Sequence, residues 1–368
     1  MAPVSPGAGT PTGTVTFVAT DGVTTVSLTG TLSGGTVSVS TNGLVTAGTY
    51  AVTATYAGDG NFIGSVGATT QTVTQAATTT SVTTSPDPSV SGESVTLTAI
   101  VAPVSPGAGT PTGTVTFVVA GGPTLTATLS GGTASVSTSA IPIGTHTVTA
   151  TYSGDANYTA SSGTDTQTVV QASTTTTVTS TPDPSVFGQP VVLTANVAVN
   201  APGAGSPTGT VTFVIDGGGG GTLTGTVVAG IATVTTSTLD VGTHNVTATY
   251  NGDADFASSV GTDTQTVNQA STITTATSFP DPSTSGQTVG FIAFVSAVAP
   301  GSGVPTGTVN FTITDGVTTV NLTGTLNGSG VATVSSALVT PGSYLVTANY
   351  TGDSNFGTST GTDTQTVL

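Results

Sequence analysis

Few residues in this chain could do chemistry, and almost all of them are acidic. There are 16 Asp and Glu and 2 His, with no Cys and no Lys or Arg. Four of the carboxylates recur in one pattern, Tyr-x-Gly-Asp-x-x-aromatic. It reads Tyr56/Gly58/Asp59/Phe62, then Tyr152/Gly154/Asp155/Tyr158, Tyr250/Gly252/Asp253/Phe256 and Tyr350/Gly352/Asp353/Phe356. A carboxylate beside a loop glycine has two uses. It can accept hydrogen bonds from loop amides while glycine takes a positive φ, leaving the aromatic to plug the end of a sandwich. Alternatively, it can ligate calcium, which takes about six to eight oxygens. The densest acidic group is Asp253 and Asp255, with Asp263 on the next strand. One or two carboxylates per loop is a thin ligand set. Turn chemistry is therefore the reading adopted, and Asp253, Asp255 and Asp263 remain as calcium candidates. No other cofactor is expected.

Catalytic constellations fare worse. His146 and His244 have Tyr50 and Tyr344 at the equivalent positions, each opening a strand after Gly-Thr or Gly-Ser. A general base is not interchangeable with tyrosine, so a hydrolase triad is not expected. A hydrogen-bonded ring at a strand corner suits all four positions. Asp253 and Asp255 lie too close to a loop tip for a glycosidase pair. The glycine run 217–221 has no following Lys and no helix, so it is a hairpin and not a phosphate loop. An ester between Thr and Gln167 or Gln265 is chemically conceivable but not expected. Asn-x-Ser/Thr sequons occur at Asn157, Asn245, Asn310, Asn321, Asn327 and Asn349, and they matter only in a glycosylating host. No enzyme activity is expected.

The elements that would hold these residues are set by a repeat. Pro-Thr-Gly-Thr-Val begins at Pro11, Pro111, Pro207 and Pro305, at spacings of 100, 96 and 98. The Tyr-x-Gly-Asp pattern is spaced by 96, 98 and 100, and Pro-Asp-Pro-Ser, from Pro86, Pro182 and Pro280, by 96 and 98. Three independent landmarks share one period. Within a period, apolar and hydroxyl residues alternate. Val95, Leu97, Ala99 and Val101 interleave with Thr96, Thr98 and Ile100. His146, Val148, Ala150 and Tyr152 interleave with Thr147, Thr149 and Thr151. Period-2 alternation puts one face inside and a Thr face outside, and β-branched Thr favours strands while staying wettable. No helical periodicity competes. The Pro-Asp-Pro-Ser segments read as edge guards, since proline removes ladder donors.

The segments PDPSVFGQPVVLTANV, SPTGTVTFV, VGTHNVTATYNGDADF and TDTQTV, in that order, resemble the bacterial Ig-like repeat family of large surface proteins. The resemblance covers essentially the whole chain. It implies an Ig-like fold and an extracellular structural or adhesive setting, and it implies no activity. The absence of basic residues is a departure, since such repeats usually carry a few. The fold expected is all-β, a tandem of immunoglobulin-like antiparallel β-sandwiches. The divisions expected are 76–171, 172–269 and 270–368, preceded by 1–75, a repeat without its first two strands. Residues 2–18 recur at 102–118, so the chain starts inside a repeat. The face bearing Val15, Phe17, Val52 and Tyr56 is expected to be open, or covered by upstream sequence or a neighbouring molecule.

Composition narrows the partners. The net charge of −16 without Lys or Arg removes the phosphate contacts that nucleic acids require and the attraction to anionic membranes. No apolar run reaches a membrane span, and nothing after Met1 has the basic and apolar regions of a leader, so an export signal is expected outside this chain. An extracellular or cell-surface location is expected. The leading expectation is a spacer, with four sandwiches in a row reaching on the order of 150 Å. Two alternatives stand beside it. One is a module whose loop tips, with Phe62, Tyr158, Phe256 and Phe356, contact a surface glycan or protein. The other is a fibre subunit completed by strands of a neighbouring chain, with repeats or copies of itself as partners. Trypsin cuts after Lys and Arg, so heat-denatured protein is expected to give no tryptic fragments on a gel or by mass spectrometry.

Overall fold

A computed structural model describes residues 1–5 and 7–368. No helix occurs among the described residues. The chain divides into two compact units, Met1–Val170 and Gln171–Leu368.

In the first unit, β1 (Thr14–Thr20), β2 (Thr25–Thr31), β3 (Gly48–Gly58) and β4 (Ile63–Val73) form one sheet in the order β2-β1-β3-β4. A two-sheet sandwich follows. Its strands are β5 (Thr78–Ser85), β6 (Ser89–Val90), β7 (Val95–Pro103), β8 (Thr114–Val119), β9 (Thr124–Thr128), β10 (Thr133–Thr138), β11 (Gly144–Tyr152) and β12 (Ser161–Val170). One sheet runs β10-β7-β5 and the other β6-β12-β11-β8-β9. The alternation seen in the sequence sets the register. Val95, Leu97, Ala99 and Val101 point inward from β7 and join Val115, Phe117, Val148, Ala150 and Tyr152 in one core cluster. The intervening Ile100 is 51% exposed.

The second unit holds two such sandwiches. Strands β13 (Thr174–Thr181), β14 (Ser185–Val186), β15 (Val191–Val199), β16 (Thr210–Ile215), β17 (Gly221–Thr226), β18 (Ile231–Thr236), β19 (Gly242–Tyr250) and β20 (Ser259–Asn268) form the first. Its sheets run β13-β15-β18 and β14-β20-β19-β16-β17. The second uses β21 (Thr272–Phe279), β22 (Thr288–Ala297), β23 (Thr308–Thr314), β24 (Thr319–Thr325), β25 (Val331–Ala337), β26 (Gly342–Tyr350) and β27 (Ser359–Val367), in sheets β21-β22-β25 and β24-β23-β26-β27.

The Pro-Asp-Pro-Ser segments lie at sheet edges, as expected, following the edge strands β5, β13 and β21, and they have a second role. Each one carries the chain from one sheet to the other. β5 pairs with β7, and immediately after Pro86 to Pro88 the short β6 pairs in parallel with β12, Ser89 opposite Val169. The third repeat does the same, Ser185 opposite Val267, and the fourth keeps a single bridge, Ser283 to Val367. Prolines end the first ladder because they offer no N–H. The crossing is then pinned by side chains. Asp87 Oδ1 accepts from Thr168 N at 2.9 Å, and the buried Gln167 Nε2 donates to Pro86 O at 3.0 Å and Ser89 Oγ at 3.1 Å.

On the first repeat, Val15 and Tyr56 were expected on an open face and are instead 1% and 3% exposed. They pack with Leu32, at the end of the sheet where the chain folds back over it. Phe17 and Val52 remain half-buried, whereas their counterparts Phe117 and Val148 are fully buried.

In the second and third repeats the core has one fully buried phenylalanine, Phe117 and Phe213. Phe213→Ala should therefore remove about 3–5 kcal/mol from its own repeat. Native-state hydrogen exchange should localise the loss to residues 172–269, with the remaining repeats unchanged.

Candidate functional site

The strongest recurring constellation is the Tyr-x-Gly-Asp loop, which joins β11 to β12 in the second repeat and the equivalent pairs in the others. Gly154 lies at φ +80, and an added Cβ would press on Tyr158 O and Ala160 N at 3.0 Å, so only glycine fits this turn. Asp155 then closes the loop. Its Oδ1 accepts from Asn157 N at 2.8 Å and Tyr158 N at 2.9 Å. Its Oδ2 accepts from Thr112 N at 2.9 Å and Thr112 Oγ1 at 2.6 Å. Asp59 is held by Thr12, Asn61 and Phe62. Asp253 is held by Thr208, Asp255 and Phe256, and Asp353 by Thr306, Asn355 and Phe356. Two of the sequence landmarks are therefore each other's partners. The Thr of Pro-Thr-Gly-Thr-Val grips the Asp of Tyr-x-Gly-Asp. The threonines Thr12, Thr112, Thr208 and Thr306 were not singled out in the sequence. The shared period of the two motifs is the signal that could have found them.

These bonds set the electrostatics. Burial pushes the Asp155 carboxyl up, but the Thr112 hydroxyl and the loop amides outweigh it and bring it down to about 2. The carboxyls of Asp253 and Asp353 are lowered in the same contest between burial and donors. At Asp59 the amide of Thr12 leads the lowering. Burial, with the neighbouring Asp155 or Asp253 charge, raises Tyr152 and Tyr250 to about 12.

The calcium candidates are placed as follows. Both oxygens of Asp253 are occupied, Oδ1 by its own loop and Oδ2 by Thr208. Asp255 is exposed at the loop tip. Asp263 lies on β20 opposite Val246, and its Oδ2 accepts from Ser180 Oγ at 2.7 Å. Among the described residues, no three His, Cys, Asp or Glu side chains are gathered as a metal set.

The loop tips are not free. Tyr158, Phe256 and Phe356 are 7%, 4% and 3% exposed, and Tyr158 Oη donates to Ala108 O at 2.7 Å. Phe62 is half-buried. The start of the second, third and fourth repeats then pairs with its own loop. Ala76 N donates to Asn157 O at 2.8 Å and Thr159 N returns to Ala76 O at 3.0 Å, while Gln75 Nε2 donates to Asp155 O at 2.7 Å. Gln171 and Gln269 repeat this on Asp253 and Asp353. Within each unit the same loop reaches the preceding repeat. Asn157 Oδ1 accepts from Ala47 N at 2.9 Å, and Asn355 Oδ1 faces Val241 N at 3.4 Å. In the second unit Phe187 meets Phe356 edge-on at 5.2 Å.

The histidines hold strand corners. His146 places Nδ1 and Nε2 each 2.8 Å from the Ala120 and Pro142 carbonyls. His244 does the same with Asp216 and Asp240, at 2.8 and 2.9 Å. Tyr50 and Tyr344 donate to the matching carbonyls of Thr46 and Thr340, at 3.1 and 2.9 Å. Gln167 and Gln265 face the hydroxyls of Ser89 and Ser185, not a threonine. The glycine run 217–221 connects β16 to β17.

The family model of the bacterial Ig-like domain (group 3) matches residues 1–74, 82–171, 178–268 and 275–368. No curated protein matches the chain. Among solved structures, a tetra-tandem repeat from the extending region of a large adhesion protein is 21% identical, covering 96% of this chain and 92% of that one, at a TM-score of 0.37. The Escherichia coli adhesin FdeC is 16% identical over 78% of this chain and 96% of its own, at a TM-score of 0.29. Domains from titin are 12% identical over 78% and 99%, at 0.30.

The loop carboxylates are depressed in the folded state, so their contribution is whole above the ordinary 3.8 and disappears as pH falls toward about 2 for Asp155. Thermal melts should therefore be flat above about pH 4 and fall steeply between about pH 4 and 2. Asp155→Asn should flatten that acid limb for the second repeat.

Proposed function

We propose that this chain, which belongs to the bacterial Ig-like domain (group 3) family, is a non-catalytic spacer segment of a surface or adhesin-type protein, outside the cell and without a resident cofactor. The observation that carries this reading is the state of the loop tips. The aromatics a tip would offer to a glycan or protein are inside, at 7% exposure or less in the second, third and fourth repeats. The carboxylates beside them are saturated by backbone amides and threonine hydroxyls. In the second and fourth repeats the loop also meets the repeat before it, through Asn157 and Asn355. A module built this way spends its recurring motif on internal contacts.

Surface chemistry agrees with that role. Outward strand positions are largely Thr and Ser, and the charge is negative throughout with no cation to attract. Such a surface stays solvated and resists non-specific docking on anionic surfaces.

Small-angle scattering on the purified chain tests the reading. A compact globule of this length has a radius of gyration of about 21 Å. A spacer of the expected length should reach about twice that, while binding to glycan arrays and to surface proteins stays at background. A radius near the globular value, or saturable glycan binding lost on mutating a loop tip, would overturn it.

A further inference from the structure

The third and fourth repeats are joined by more than the chain that links them. After Pro182 to Pro184 the backbone of the third repeat makes a turn. Gln189 N closes it on Val186 O at 3.0 Å, and Phe187 N ties it to Asn268 O at 2.9 Å. Val186 and Phe187 then pack against the core cluster of the fourth repeat. The Phe187 ring meets Phe356 edge-on, with centroids 5.2 Å apart and planes at 79°, so a positive ring edge faces a negative ring face. Gly303 makes room for both rings. A Cβ there would lie 3.1 Å from Phe356 Cζ and 3.3 Å from Phe187 Cε1.

Hydrogen bonds flank the rings. Ser302 N donates to Phe187 O at 3.3 Å, and Ser302 Oγ donates to Gly188 O at 2.7 Å. Val241 N, from a different loop of the third repeat, faces Asn355 Oδ1 at 3.4 Å. With the linker itself, the two repeats touch at three separated places. A linker alone permits bending and twisting, whereas three such places resist both.

Both sides of this joint are exceptions to the repeat. Where the third repeat has Phe187, the second and fourth have Ser91 and Ser285. Where the fourth has Ser302, the first, second and third have Ala8, Ala108 and Ala204. The turn does not need phenylalanine. The second repeat closes the same turn with serine, Ser91 N donating to Val170 O at 2.9 Å and Glu93 N to Val90 O at 3.0 Å. Nor could alanine in place of Ser302 donate to Gly188 O. Two residues that depart from their own repeats thus meet each other.

We propose that Phe187 and Ser302 form a matched interface that holds the third and fourth repeats in one relative orientation, with Phe187 as the positioning residue. Relative motion is the ordinary behaviour of domains that share a small polar interface. Here an aromatic contact continuous with the fourth repeat's core removes it. The partner that the Phe187 turn fits is an Ig-like repeat with a hydroxyl at the position of Ser302 and a phenylalanine closing its Tyr-x-Gly-Asp loop. The joint stands on these contacts and is independent of the spacer reading, whose test is particle length.

The full chain has no cysteine, so spin labels can be placed through Thr233→Cys and Ser335→Cys, at exposed positions of the third and fourth repeats. Double electron–electron resonance should give one narrow distance distribution. Phe187→Ser, which installs the side chain of the second and fourth repeats, should broaden it. Ser302→Ala, on the other side of the joint, should broaden it less. In both variants hydrogen exchange at residues 301–303 should quicken by about tenfold. Exchange in β15 and β22 should stay as it was, which separates loss of the joint from loss of a fold. A distribution already broad in the unaltered chain would overturn the proposal. So would one that stays narrow in Phe187→Ser, or a width unchanged by Ser302→Ala while Phe187→Ser speeds exchange throughout β15.

Discussion

A thin β-sandwich is held by one requirement. Each sheet has a single apolar face, and that face must meet another. Here the faces are built largely from Val, Ala and Leu with a few Phe and Tyr per repeat, so the two layers are stable only together. The contrast between Phe117, fully buried, and Phe17, half-buried, shows the same strand with and without its opposite layer. Crossing segments, loop clamps and repeat junctions all serve to bring the second layer into register.

The chain does this without a positively charged side chain. Its loop carboxylates are neutralised by amides and hydroxyls, and the four Asp of the Tyr-x-Gly-Asp loops show how much such donors achieve. Hydrogen bonds to a charged acceptor are the stronger kind, and here they replace ion pairs outright. The arrangement also explains why threonine recurs at Thr12, Thr112, Thr208 and Thr306. Its amide and hydroxyl converge on the same oxygen.

Much of the fold could be read from the sequence. The alternation of Val95, Leu97, Ala99 and Val101 with Thr fixed which face of β7 is inside, and the period near 100 fixed the unit. The His/Tyr equivalence at residues 50, 146, 244 and 344 correctly pointed to a corner ring. Other features were hidden because different structures make the same local demand. A residue without an N–H suits a sheet edge and a sheet-to-sheet crossing equally, so Pro86 to Pro88 marked the edge without revealing that the chain also changes sheets there. Burial of Tyr158 and Phe256 depends on chain segments dozens of residues away. Val15 and Tyr56 are covered by a return of the chain that no strand pattern announces.

The crossing after Pro-Asp-Pro has a mechanical consequence. β6 and β12 lie near opposite ends of one repeat in sequence, yet run in the same direction side by side. Force applied to the two ends of that repeat therefore slides these strands past one another. Their hydrogen bonds are loaded together, and none opens ahead of the rest as in a peeling hairpin. Ser91 N to Val170 O, at 2.9 Å, extends the patch, and Gln167 rivets it from inside. Resistance to forced unfolding is governed by the unfolding rate, so this small parallel seam bears more of the tension than its few bonds contribute to equilibrium stability.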